Sequence, residues 1–201
     1  MSIPSIYTTY LESVHAYFNK FLPLSNEEFQ ELLPFFEIRE FDKKEQIVKL
    51  GEIDIYYNII LKGLSRKYVM VGKKDVTLQL STEGQMIHSE ISFNRQVPSE
   101  AIVETIEPTI LLSISYDNLQ HVYKLNPRIE RLGRLLVTHM FVKKDFRDFA
   151  QLKKTTRERF LDYMNSHPAM LQRVPQKYIA SYLNIKPETF SRLKHLMRMK
   201  K

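Results

Sequence analysis

Residues 179–193 read Ile179-Ala180-Ser181-Tyr182-Leu183-Asn184-Ile185-Lys186-Pro187-Glu188-Thr189-Phe190-Ser191-Arg192-Leu193. Ala180 is small enough to let a second helix approach closely. Leu183 and Ile185 fill the space beneath a three-residue turn, and Asn184 suits its tight backbone. Phe190 and Leu193 face the core so formed, which leaves Glu188, Thr189, Ser191, Arg192 and His195 on or near the outer face. The pattern predicts a helix-turn-helix, whose second helix lies in the major groove of DNA. Lys177, Lys186, Lys194, Arg198, Lys200 and Lys201 surround it and supply a salt-sensitive attraction for phosphate.

Working outward, the charge of the chain concentrates on this segment. The 201 residues carry a formal net charge of +7. Residues 151–201 hold 12 Lys and Arg against 3 Asp and Glu, a balance of +9, whereas residues 1–150 hold 18 against 20. A near-neutral body with a basic C-terminal third predicts that this third meets a polyanion. At 43% hydrophobic and 26% charged residues the chain reads as an ordinary globular protein, with no apolar run of membrane-spanning length. Met1-Ser2-Ile3-Pro4 shows no basic or apolar leader, so the expected compartment is the cytoplasm. Zero cysteines exclude disulfides, thiolate zinc sites, cysteine-ligated clusters and cysteine catalysis.

N-terminal to the basic third, three patterns follow one another. Tyr10, Leu11, Val14, Tyr17, Phe18 and Phe21 recur at helical intervals, and Ser25 with Glu28 forms the capping-box pattern of a second helix limited by Pro34. From Glu37 to about Tyr116 come short β-rich pieces: 47–50, 56–61, 65–71, 76–80, 101–104 and 109–114. Gly51, Gly63, Gly72 and Gly84 punctuate them, which indicates a sandwich or barrel and not a βαβ sheet. Asn126-Pro127 then opens a helical stripe, Ile129, Leu132, Leu135, Leu136, Met140, Phe146 and Phe149, roughly 36 Å long at 1.5 Å per residue. That length suggests a dimerisation helix, with Ile129, Leu132, Leu136, Met140 and Phe146 in its seam and His139 and Lys143 interrupting it. Thr155 and Glu158 repeat the capping box ahead of a helix that His167-Pro168 ends. The fold class is α+β: an antiparallel β-roll of jelly-roll type with flanking helices, a long helix, and an all-α C-terminal unit. The expected domains are 1–125, 126–151 (long helix and hinge) and 152–201.

Taken together, these landmarks resemble the Crp/Fnr family of bacterial transcription regulators. Val48-Lys49-Leu50-Gly51-Glu52 and Tyr57-Asn58-Ile59-Ile60-Leu61-Lys62-Gly63 are similar to the family's Gly-Glu and Tyr-x-hydrophobic-x-x-Gly run. Thr82-Glu83-Gly84-Gln85-Met86 matches the next turn and Asn126-Pro127 the start of the long helix, so the likeness covers nearly the whole chain. The resemblance implies a cyclic-nucleotide-binding-type roll, a homodimer, double-stranded DNA as partner, and RNA polymerase as a further candidate partner. It places Glu188 and Arg192 at base-reading positions, Arg192 toward guanine O6/N7 and Glu188 toward cytosine N4. Lys186, Thr189 and Lys177 fall at phosphate-touching positions. Pro187 stands where the family has its first base-reading Arg. The chain stops at Lys201, where the family continues into a β-hairpin wing, so no wing is expected.

The family's phosphate cassette departs further. It matches residues 89–101, where Glu90 is kept, Ser99 replaces the phosphate-binding Arg, and Glu100 follows with a repelling carboxylate. Arg95 is the one substitute cation nearby, and Lys144-Asp145 replace the base-contacting hydroxyl pair of the cyclic-AMP sensor. These four residues, Glu90, Arg95, Ser99 and Glu100, mark the effector pocket, with cyclic AMP not expected to bind and an unknown small-molecule effector left open. No cofactor and no metal are expected: the six histidines form no axial pair for haem. No Gly-rich phosphate loop, metal-ligand spacing or nucleophile elbow points to an enzyme. The alternative to a DNA-binding regulator is a small-molecule sensor module with weak or lost DNA binding.

Overall fold

The computed structural model describes residues 3–198, with side chains described through Lys194. Helix α1 (Thr8–Phe18) turns Leu11, Val14 and Phe18 inward. Helix α2 (Asn26–Leu32) starts on the expected capping box: the Ser25 hydroxyl accepts from the Glu28 N–H, and the Glu28 carboxylate accepts from the Ser25 N–H. Seven strands follow: β1 (Phe36–Phe41), β2 (Gln46–Val48), β3 (Tyr56–Lys62), β4 (Leu64–Val71), β5 (Lys74–Thr82), β6 (Ile102–Thr105) and β7 (Thr109–Ser115). They form two antiparallel sheets, ordered β1-β7-β3 and β2-β6-β4-β5.

The three-stranded sheet is covered on both faces, which is why β3 and β7 read as continuous apolar runs. The paired residues Ile60 and Leu111 point between the sheets, toward Ile47, Val48, Ile87 and Val103. Their neighbours Ile59 and Leu112 point the other way, into a layer of helices. That layer consists of α1, α2, α4 (Tyr116–Leu125) and the first half of α5 (Pro127–Lys153). The Asn126 side chain caps α5 by accepting from the Arg128 N–H, with Pro127 at the first helical position as the sequence predicts.

Four elements lie outside the sequence reading, a short helix α7 (Met170–Arg173) in the C-terminal unit among them. Strand β1 mixes Glu37, Arg39 and Glu40 with its apolar residues because it is an edge strand. Helix α4 continues the chain directly from β7, with the Ser115 hydroxyl accepting from the Asn118 N–H. Helix α3 (Glu90–Arg95) is short and ends on Gln96 in a left-handed conformation, φ 51°.

The expected dimer seam also needs correction. Ile129, Leu132 and Leu136 are buried against their own roll and helices, and Met140 is half-buried there, within 3.3 Å of the Tyr57 hydroxyl. Only Phe146 of the five is exposed, at 70%. The free apolar surface of α5 lies opposite, on Val137, Phe141, Val142, Phe146, Phe149 and Leu152. A helix long enough to cover its own sheet and then continue past it carries two stripes, and a single periodicity merges them.

The C-terminal unit comprises α6 (Thr156–Ser166), α7 (Met170–Arg173), α8 (Gln176–Tyr182) and α9 (Pro187–Arg198). Phe160, Met164, Ile179, Ala180, Ile185 and Phe190 form its core, with the Phe160 and Phe190 rings edge to face at 5.1 Å. The same core takes in Leu64, Leu80 and Ile106 from the roll, so the unit is packed on the roll and not merely tethered to it.

Candidate nucleic-acid interface

Helices α8 and α9 meet through a turn in which Asn184 adopts φ 52°, a conformation that Asn tolerates better than most residues. The Ile185 N–H donates to the Ala180 carbonyl, closing the turn over the buried Ala180 side chain. Arg159 of α6 braces it from outside: its guanidinium donates to the carbonyls of Leu183 (3.2 Å), Asn184 (3.3 Å) and Lys154 (2.7 Å). This brace answers the unpaired carbonyls at the end of α8 and joins three helices at one side chain. The sequence gives no local sign of it, because the two turn carbonyls lie 24 and 25 residues away.

Pro187 opens α9, and Phe190 and Leu193 turn into the core. Glu188, Ser191 and Arg192 are exposed along the opposite face, and Thr189 is half-buried beside them. Lys186 is exposed at the turn and Lys177 on α8, its ammonium 4.9 Å from the Tyr178 ring. Glu188 and Arg192 are one helical turn apart, and neither joins an ion pair among the described residues. His195 and Arg198 lie on α9, with side chains outside the described residues, as are Lys200 and Lys201 altogether. The structure therefore groups Lys186, Glu188, Thr189, Ser191 and Arg192 on one outward helical face, with Lys177 on the adjoining helix.

No family model and no curated protein matches the chain. Solved structures do. The chain superposes on FixK2 from Bradyrhizobium japonicum with a TM-score of 0.69 at 14% identity, over 82% of this chain and 85% of that one. The c-di-GMP responsive global regulator CLP of Xanthomonas campestris gives 0.66 at 13% identity, over 85% and 90% of the two chains. DNR from Pseudomonas aeruginosa gives 0.54 at 22% identity, over 98% and 89%.

The chain has the Crp/Fnr fold.

Within that fold the cassette residues separate. Ser99 is buried and its hydroxyl lies 2.8 Å from the Ser89 Oγ and 2.7 Å from the Ala101 carbonyl. Arg95 and Glu100 are exposed to solvent, away from this hydrogen-bonded pair. The Glu90 carboxylate is taken by the ammonium of Lys67, which also donates to the His88 carbonyl at 3.2 Å. Burial pushes the Glu90 carboxyl up, but the cationic Lys67 beside it brings the net shift below the usual range. Lys67 itself is shifted down, burial outweighing the help from Glu90.

Around this pair sit groups that the sequence reading missed. Asp54 is buried and accepts from the backbone N–H of Ser89 (2.7 Å) and Tyr56 (3.2 Å). Its carboxyl is nevertheless pushed up to about 6 by burial. His88 packs its ring against Tyr57 at 4.3 Å and Phe93 at 5.6 Å, and burial pulls it down to about 4. Beyond Met140, Arg147 and not Lys144 or Asp145 is seen to reach the roll from α5: it donates to the Leu78 carbonyl. Lys144 pairs instead with Asp148 along its own helix at 3.2 Å. A charged residue in the centre of a buried strand, as Lys67 is in β4, was the one available signal for this cluster.

Proposed function

We propose that the chain is a homodimeric, sequence-specific DNA-binding transcription regulator that reads a pseudo-palindromic site through α9. It is not an enzyme. The observation that carries this reading is the outward face of α9, where Glu188, Ser191 and Arg192 stand exposed and unpaired among the described residues, on a segment of charge +9. Arg192 donates to a guanine edge, Glu188 accepts from cytosine, and Lys177, Lys186 and Thr189 hold phosphate. One neighbour in fold, CLP, is a global regulator linked to gene expression, which supports this assignment.

The second copy seats on α5. Every residue from Phe141 to Phe146 is exposed, and Val142, Phe146 and Phe149 follow one another at four- and three-residue steps. A stripe of that kind fits a matching helix related by two-fold symmetry. The functional division is a sensor-type roll over 1–125, a dimer helix over 126–151 with the chain turning at Lys154, and the reading unit over 152–201.

Cyclic AMP is not the effector in this reading. Ser99 and Glu100 offer no cation at the phosphate position, and Lys67 already engages Glu90 from within the roll. Selection of bound sequences from random DNA, at several salt concentrations and with and without cyclic AMP, tests the whole proposal. The expected result is a palindromic site bound with a steep log–log salt slope and unchanged by the nucleotide. Arg192→Ala relaxes the preference at one base pair per half-site by roughly 1–3 kcal/mol. A shallow slope with no preferred site rejects DNA reading.

A further inference from the structure

The face by which the helix-turn-helix rests on the roll is built from side chains with specific partners. Arg173, at the end of α7, extends its guanidinium across to the turns at the far end of the roll. It forks onto the Glu83 carboxylate at 2.7 and 2.9 Å, pairs with the Glu107 carboxylate, and donates to the Gly63 carbonyl at 3.2 Å. Glu83 in turn accepts from the Gly63 N–H at 3.0 Å. Gly63 has φ 105°, and a Cβ there would come within 2.5 Å of the Pro108 carbonyl, so the turn that receives Arg173 admits only glycine. The clamp is therefore seated on a rigid part of the roll.

Two further contacts lie beside it. The buried Arg66 guanidinium sits between the Tyr68 ring of the roll and the Tyr178 ring of α8, at 3.9 and 3.7 Å, while pairing with Asp75 (2.6 Å) and Glu104 (3.2 Å). The Thr77 N–H on β5 donates to the Ser181 hydroxyl on α8 at 2.9 Å. Arg66 and Thr77 thus hold α8 at its middle, and Arg173 holds α7 about one helix away. Two contacts one helical turn apart on α8 and a third at the end of α7 together hold the unit in one orientation on the roll. The charges also match, since a strongly basic unit meets two carboxylates of the roll.

We propose that Arg173 is a positioning residue for DNA binding: through Glu83 and Glu107 it sets the angle at which the helix-turn-helix stands on its roll, and hence the spacing of the two half-sites. This rests on the dimeric DNA-reading assignment above. In a two-fold dimer, the roll and α5 determine where each unit starts and the clamp determines where its α9 points. Arg173 itself touches no base. Its carboxylate partners are partly exposed, at 43% for Glu83 and 29% for Glu107, so the clamp can open to water without unpacking the apolar core behind it.

The absence of native cysteine allows clean spin labelling of the full chain. Labels at Glu12→Cys on α1 and Asn165→Cys on α6, both exposed positions, report the distance between roll and reading unit when diluted with unlabelled protein. The wild type gives one narrow distance. Arg173→Glu broadens or displaces it, and adding Glu83→Arg and Glu107→Arg restores it. In selection from DNA with variable spacers, Arg173→Glu flattens the spacing preference while the bases preferred within each half-site stay the same. Arg173→Gln, which keeps most of the bulk, shows the same trend if charge reversal prevents folding. An unchanged narrow distance in both variants overturns the proposal, and so does a distance that moves without the spacing preference moving. If the wild type selects no DNA at all, the DNA-reading assignment fails, and the distance measurement still decides whether Arg173 sets the orientation.

Discussion

His88 shows how a single side chain carries a pH dependence that no exposed histidine would. Its ring lies wholly inside the roll against Tyr57 and Phe93, with its Nδ1 unpartnered among the described residues. Burial holds its pKa near about 4, well below the 6.5 of a solvated histidine. Between those values the unfolded chain binds a proton that the folded chain refuses, so this residue withdraws stability as pH falls from about 6.5 toward 4. Asp54 acts in the opposite sense over much of the same window, because its folded carboxyl holds a proton up to about 6. Comparing the wild type with His88→Leu isolates the histidine. Urea unfolding at a series of pH values is expected to show the wild type losing about 3 kcal/mol more than the variant between pH 7 and 4. Parallel curves would mean that His88 keeps a solvated pKa. Apart from Lys67 as a charge within an apolar strand, little of this was legible in the sequence, where Asp54, Lys67 and His88 stand far apart. Their shifts exist because the segment before β3, strand β4 and the segment before α3 bring them together in the buried interior.

At the scale of elements, the legible features were those settled within a few residues. The capping boxes at Ser25–Glu28 and Thr155–Glu158 and the Asn126 cap occur as the sequence implies, since a side chain and the N–H groups it satisfies lie within one turn. The two stripes of α5 were not separable, because both repeat at helical spacing and only the neighbours decide which one is covered. The corrected stripe carries its own prediction. Under the proposed dimer, the wild type is expected to sediment as a dimer and Val142→Asp combined with Phe149→Glu as a monomer at the same concentration, with DNA binding weakened as paired half-sites are lost. The roll should melt as before, since neither side chain is buried in the chain itself. A dimer that survives both charges places the second copy elsewhere.

At the scale of the whole molecule, the expected domains share one boundary that is not a gap. Leu64, Leu80 and Ile106 of the roll belong to the same buried cluster as Phe160, Met164 and Ile179 of the helix-turn-helix. Arg147 links three parts at once, leaving α5 to bond the Leu78 carbonyl on β5, its guanidinium 5.2 Å from the Tyr182 ring of α8. Units that share a core unfold together. Calorimetry of the full chain at fixed protein concentration is therefore expected to show one transition, with calorimetric and van't Hoff enthalpies in agreement. Two resolved transitions would show that the contact is too weak to couple the roll to the reading unit.

The sequence by itself determined the succession of helices, roll and C-terminal helical unit without β1, α3, α4 or α7, the caps at Ser25, Asn126 and Thr155, the turn at Asn184 and the outward residues of α9 from Glu188 to Arg192, along with the basic charge behind them. Each depends on periodicity or on partners a few positions apart, and the α9 face follows from knowing which of its residues are apolar. The tertiary structure alone decided that Lys67 occupies Glu90, that Arg147 and not Lys144 reaches the roll, that the first half of α5 is consumed by its own core, and that Arg173 joins two carboxylates of the roll. These contacts span tens of residues. A charged side chain far from its partner looks the same in sequence whether it ends in solvent or in an ion pair, and only the folded chain supplies the partner.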